Sequence, residues 1–179
     1  MIKINMGCGW RNFGKEWIHI DGGDYSHLDS KNIFNLEFEK DSVDLIYSSH
    51  VVEYFDKKDA TKLLKEWHRV LKPGATLRIA VPDFEAMSKL YTSKKVNIDQ
   101  ILGPVYGIMK MGDMSIQHKT AYDFKKIKDL LTGLGFKDVE KYDWRKTCHA
   151  NHDDHSQAYI PHMDKDNGNL ISLNVECKK

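Results

Sequence analysis

The sequence has little with which to staple, anchor or charge itself. Its three cysteines, Cys8, Cys148 and Cys177, form no CxxC pair. An odd and widely spaced set argues against a disulfide-stapled secreted domain and for a reducing compartment, so the cytoplasm is the expected location. No stretch approaches the roughly 18 consecutive apolar residues of a spanning helix, and no membrane span is expected. The opening Ile2-Lys3-Ile4-Asn5-Met6 also lacks the apolar core of a signal peptide. Charge of one sign is missing too: 27 Lys plus Arg stand against 26 Asp plus Glu, a formal net charge of +1. The basic residues are dispersed, which argues against a nucleic-acid partner. Neither GxGxxG nor GxxxxGK[ST] occurs, and the second absence removes a P-loop phosphotransferase.

What is present is enough for one compact α/β domain. With 179 residues and 41% hydrophobic content, residues 1–179 read as a single domain. Ile2, Ile4 and Met6 alternate with polar residues before Gly7-Cys8-Gly9, giving a strand and a tight turn. A second strand, Trp17–Ile20, ends at Asp21-Gly22-Gly23-Asp24, and the short gap between them predicts an abbreviated helix of one or two turns. A weak strand or turn is read over Asn32–Leu36, a firmer strand over Val43–Ser48. Asp56 and Asp59 have capping-box spacing, and Ala60, Leu63, Leu64, Trp67 and Leu71 then recur at helical spacing until Pro73-Gly74. A strand follows over Thr76–Val81, then a helix capped by Asp83. Residues 94–119, with Gly103-Pro104, Gly107 and Gly112, read as an irregular insert or lid holding at most a short helix. Thr120 to Asp123 repeats the capping-box spacing before a helix, a strand runs over Phe136–Trp144, and residues 145–168 form a polar His/Asp-rich loop. Alternation over Ile171–Cys177 closes the chain with a last strand.

Chemistry enters at Ile4-Asn5-Met6-Gly7-Cys8-Gly9-Trp10 and at Asp21. Glycines allow a ligand close to the backbone, and a carboxylate accepts hydrogen bonds from both hydroxyls of a ribose. Together with Asp44 to Phe55, Leu71-Lys72-Pro73-Gly74 and Leu77 to Asp83, these residues resemble the class I S-adenosylmethionine-dependent methyltransferases, in their small type 11-like form. The resemblance implies a Rossmann-like, open, mostly parallel seven-stranded sheet flanked by helices, its last strand antiparallel, with S-adenosyl-L-methionine as cofactor. It implies that Asn5, Gly7, Cys8 and Gly9 form the turn beside the methionyl part, that Asp21 takes the ribose, and that Asn32 or Asn35 approaches adenine. It places Ser49 or His50 toward the sulfonium or the acceptor pocket.

The reaction implied is methyl transfer to a hydroxyl or amine of a small polar acceptor, a sugar being one such molecule. The protein's part is alignment and, for a hydroxyl, removal of a proton. His50, His118 and His152 are the base candidates. The segment His149 to His155 concentrates imidazoles and carboxylates without a zinc-ligand spacing, so no metal is expected, and His149, Asp153 and His155 are read with Tyr122 as acceptor-binding residues. Two other classes stay open: a non-catalytic cofactor-fold module that binds a partner, and a nucleotide-dependent oxidoreductase, against which the missing GxGxxG counts. A homodimer is a further expectation, because so small a domain gains cover for its pocket from a partner.

Overall fold

The computed structural model describes residues 1–111 and 114–179. Gly112, assigned above to the insert, lies outside them. β1 (Lys3–Met6) pairs in parallel with both β2 (Ile18–Ile20) and β3 (Val43–Ser49). The β1–β2 connection contains no helix, contrary to the abbreviated one expected. Phe13 N–H is instead taken by His19 Nε2 at 2.8 Å, and Phe13 and Trp17 turn inward against Leu45 and Tyr47. The loop thereby covers the sheet face that a crossover helix would cover.

The edge beyond β2 is equally reduced. Residues 32–36 form no strand, and only a single bridge joins Ile20 to Ser30. Asn32 Oδ1 accepts from the amides of Phe34 and Asn35 at 3.1 and 3.0 Å, a local turn that competes with ladder pairing. Among the described residues the main sheet accordingly has six strands, where seven were expected.

α1 (Lys57–Val70) starts where the spacing placed it: Asp56 accepts from Asp59 N–H at 2.9 Å. It buries Ala60, Leu63, Leu64, Trp67 and Val70 against Ile4, Ile46 and Leu77. Each such side chain removed from water contributes roughly 1.5–3 kcal/mol, less for Ala60. β4 (Leu71–Pro82) follows without a break, and its pairing with β3 jumps from Val43–Leu71 to Leu45–Thr76. Residues 72–75 bulge out there, with Gly74 at φ +79° making the turn.

α2 (Phe84–Thr92) is capped by Asp83. The insert is more regular than expected: α3 (Ile98–Tyr106) has a reciprocal Asn97–Gln100 capping box and ends on left-handed Gly107, and a hairpin of β5 (Met109–Met111) and β6 (Met114–Ile116) follows. α4 (Phe124–Gly133) is capped by Asp123 rather than Thr120. After β7 (Lys137–Lys141), the polar loop carries two single 3-10 turns and the short pair β8 (Tyr159–Ile160) and β9 (Asn169–Leu170). β10 (Ser172–Lys178) then inserts between β4 and β7, antiparallel to both. The order is β2-β1-β3-β4-β10-β7. The chain reverses its direction of travel across the sheet between β1 and β3, and the carboxyl ends of those strands are where an open α/β sheet offers a crevice.

Candidate active site

A cleft of about 1600 Å³ opens at that point. Its floor is built from backbone. Gly7, just past β1, has φ +67° and donates to Ile20 O at 2.6 Å. A Cβ on Gly7 would lie 2.1 Å from Val51 Cγ2, so the turn passes under the β3 end only because residue 7 has no side chain. Gly9, at φ +56°, has nothing within 4 Å of the place its Cβ would occupy. Gly9 is also part of the cleft lining.

Asp21 stands at the end of β2 and ties this floor together. Its Oδ2 accepts from Gly9 N–H at 2.8 Å and its Oδ1 from Gly23 N–H at 2.7 Å. Each oxygen retains a lone pair, so the carboxylate is fixed in orientation and still able to accept two hydroxyl hydrogen bonds from a cleft ligand.

Across Gly7, at the end of β3, the wall is made of side chains. Ser49, His50, His118, Asp154 and His155 all line it. His50 has φ +55°, a conformation that costs a non-glycine residue of order 1 kcal/mol. Its ring is held by Ser172 Oγ at 3.1 Å and faces Glu53 Oε1 at 3.5 Å. His118 faces the same Glu53 oxygen at 3.7 Å and Val105 O at 3.2 Å. Burial holds both imidazoles below the usual histidine range and pushes the Glu53 carboxyl up to about 8. Asp154 is clamped from three sides, by Tyr47 Oη at 2.6 Å, Ser49 Oγ at 3.3 Å and Ser156 N–H at 2.7 Å. His155 exposes its ring to the cleft, 5.2 Å between centroids from His50.

The remaining expected site residues lie elsewhere. Asn5 is buried in the sheet, and Cys8 turns inward to His27, where burial raises its thiol to about 12 and rules out a thiolate at neutral pH. Asn32 reaches the cleft, while Asn35 does not line it. His149 and His152, read as acceptor binder and base, stack instead on Tyr47 and Phe13 at 3.8 and 4.1 Å. Asp153 is held outside by Lys165 at 2.9 Å, and Tyr122 is buried beside Asp83, away from the cleft lining. Aromatic packing, absent from any spacing rule, accounts for the His149 and His152 rings of the polar loop. Among the described residues no group of three His, Cys, Asp or Glu side chains is arranged to hold a metal ion.

Two residues escaped the sequence reading, Glu53 behind the wall and Arg11 in it. Glu53 gave one usable signal, an acid three residues after His50 in a short turn. Arg11, which stacks on exposed Trp10 at 4.8 Å and donates to Asp153 O at 2.9 Å, gave none.

The family model described as a methyltransferase domain matches residues 7–79. Curated proteins yield no match. Among solved structures, a SAM-dependent methyltransferase from Archaeoglobus fulgidus aligns over 99% of this chain and 85% of its own, at 16% identity and a TM-score of 0.58. The Burkholderia thailandensis 1,6-didemethyltoxoflavin-N1-methyltransferase, solved with 1,6-didemethyltoxoflavin and S-adenosylhomocysteine, aligns over 99% of this chain and 70% of its own, at 9% identity and 0.57. A putative methyltransferase in complex with the Haloferax volcanii Trm112 activator aligns over 99% and 81%, at 15% identity and 0.54. At these identities the structures speak to the fold. The family match begins at the glycine turn just past β1, takes in β2 and β3 and ends inside β4. Over those residues the chain is similar to the methyltransferase-domain family, and with the shared fold this supports an enzyme that takes S-adenosyl-L-methionine as methyl donor.

Proposed function

We propose that the methyl group goes to an oxygen or nitrogen of a small polar acceptor, a sugar hydroxyl or amine being the first to try. The observation that carries this reading is the division of the cleft, with the Asp21 carboxylate at one end and the imidazoles of His50, His118 and His155 at the other. The open space over Gly9 and the free lone pairs of Asp21 suit a nucleoside that must lie close to the backbone. When bound, the cofactor supplies an electrophilic methyl on a sulfonium, so the protein's work is alignment and proton removal. In this reading Gly7, Gly9 and Asp21 hold the methionyl and ribose portions, and the backbone near Ser30 and Asn32 meets the adenine. His155 is the imidazole that takes a proton from the acceptor, because both ring nitrogens of His50 and of His118 already face protein groups. α3 and the β5–β6 hairpin serve as the lid over the acceptor.

Burial of an uncharged, hydroxyl-rich acceptor fits a chain with one net positive charge better than a nucleic acid does. No helix among the described residues is long and apolar enough to cross a membrane, and the cytoplasm is the proposed location. The exposed Leu102, Tyr106 and Ile108 on and after α3 are the proposed homodimer contact, which sedimentation would detect.

Calorimetric titration with S-adenosylmethionine, S-adenosylhomocysteine and NAD tests the reading. Micromolar-range binding of the first two and none of NAD is expected, with Asp21→Ala weakening it at least tenfold, about 1.4 kcal/mol. Unchanged affinity in a folded Asp21→Ala variant sinks the ribose assignment. An acceptor screen with sugars and small amines follows.

A further inference from the structure

Glu53 lies behind the cleft wall with its side chain 1% exposed, and among the described residues neither carboxyl oxygen meets a donor at hydrogen-bond distance. Two imidazoles face the same oxygen, and the hydrogen bonds around them fix which ring nitrogens carry hydrogen. Asn174 Nδ2 donates to Ser156 O at 2.9 Å, so Asn174 Oδ1 is the acceptor turned toward Ser172. Ser172 Oγ gives its one hydrogen to that Oδ1 at 3.0 Å. The contact between Ser172 Oγ and His50 Nε2 at 3.1 Å therefore needs its hydrogen from His50. Neutral His50 thus carries hydrogen on Nε2 and leaves Nδ1 bare, toward Glu53 Oε1. In His118 the Val105 carbonyl fixes the hydrogen on Nδ1 at 3.2 Å, which leaves Nε2 bare toward the same oxygen.

Three acceptors without a hydrogen among them would repel at 3.5 and 3.7 Å in a buried site. We propose that Glu53 is a positioning residue that keeps a proton, and that His50, Glu53 and His118 form a singly protonated, uncharged unit in which one carboxyl O–H is shared between the two bare imidazole nitrogens that face it. The inference rests on the methyltransferase reading of the cleft for its purpose: a wall with no net charge beside a cationic methyl donor, and two rings that hold the acceptor's place without rotating. Two backbone features support a built unit. His50 accepts a left-handed backbone to present its ring, and Gly107, at φ +52°, leaves His118 Nε2 where a Cβ would stand 1.9 Å away. The other titratable groups facing the unit are Tyr54 on the Glu53 turn, Tyr122 before α4, and, against His50, Arg11 and His155. Burial keeps the Glu53 carboxyl protonated up to about 8, in agreement with the proton count.

Imidazole ¹⁵N spectra recorded from pH 6 to 9.5 test this without acceptor or cofactor, the signals being assigned with His50→Gln and His118→Gln. The expected result is His50 with hydrogen on Nε2, His118 with hydrogen on Nδ1, and one shared step near pH 8 in both rings. Glu53→Gln, whose amide donates in place of the carboxyl O–H, keeps both tautomers and loses the step. Thermal melts of the same variant gain most over wild type at the alkaline end, because a raised carboxyl draws stability down as pH climbs from about 4.5 to about 8. Either ring in the opposite tautomer, both rings charged at pH 7, or a step that survives in Glu53→Gln overturns the proposal, as does stoichiometric zinc that shifts both rings at once. None of these outcomes touches cofactor binding, and absence of cofactor binding leaves the proton count standing.

Discussion

The two ends of the cleft are built from different materials. At the β1–β2 end the geometry is made by backbone: Gly7 and Gly9 at positive φ, and an Asp21 carboxylate pinned by two amides. At the β3 end it is made by side chains drawn from distant parts of the chain, Glu53 with His118, His50 with Ser172, Tyr47 with Asp154. A backbone site tolerates change in what surrounds it and fails when a Cβ appears. A side-chain site folds around substitutions and fails when one partner goes missing.

Alanine in the glycine turn breaks this comparison most sharply. Gly7→Ala must hold residue 7 at φ +67° and push Val51 away from a 2.1 Å overlap. Left-handed backbone costs about 1–2 kcal/mol and overpacking typically about 1–3, together of order 10 °C in melting temperature for a domain of this size. Gly9→Ala meets no atom within 4 Å and bears only the backbone term, so its melt falls by a few degrees at most. Its loss appears in calorimetry instead, at least tenfold in S-adenosylhomocysteine affinity, since the new methyl fills the space above the turn. Equal melting losses, or full affinity in Gly9→Ala, would show that the floor is not a ligand cradle.

This difference in materials also explains what the sequence disclosed. Gly7, Gly9 and Asp21 are legible because turn chemistry and a strand end are local signals a few residues wide. The caps of α1 and α2 are legible for the same reason: Asp56 and Asp83 bond amides three residues on. Of the two readings of Asn32–Leu36, strand or turn, the turn holds because Asn32 satisfies its neighbours' amides locally, leaving a single bridge at Ser30 and six strands rather than seven. The expected β1–β2 helix gives way to a loop because the Phe13 amide finds its acceptor in His19 Nε2 on β2, an acceptor no helical period can announce. The histidines of the polar loop looked like chemistry because imidazole is read first as a base. Here His149 and His152 are flat surfaces packed on Tyr47 and Phe13.

That packing makes a smaller test. His149 is buried with Nε2 unpartnered, and desolvation, the largest influence on it, pushes its imidazole down to about 4. As pH falls below about 6.5 the unfolded chain takes up the proton first, so stability drains away down to about pH 4 and then levels. At about 1.4 kcal/mol per pH unit the window is worth up to roughly 3 kcal/mol. His149→Phe keeps the ring stack and removes that slope, which denaturant melts at pH 4.5 and 7 would show. A slope that persists unchanged would assign the acid sensitivity to His19, His50 and His118, whose burial also disfavours charge.

The smallest expected effect sits at the rim where the two ends meet. Arg11 is half-buried, stacks on Trp10 and bonds Asp153 O, so it belongs to both materials: a side chain on the backbone-built turn that reaches the polar loop. Its charge opposes a cationic donor more than the neutral product, but partial exposure screens it to about 0.5 kcal/mol. Arg11→Ala should therefore raise the ratio of S-adenosylmethionine to S-adenosylhomocysteine affinity about twofold at low salt. The gain should vanish near 1 M salt, while the melting temperature drops by no more than a few degrees. A ratio that ignores the substitution at low salt would make Arg11 a strut for the polar loop, and the charge balance of the cleft would then rest on the imidazole wall.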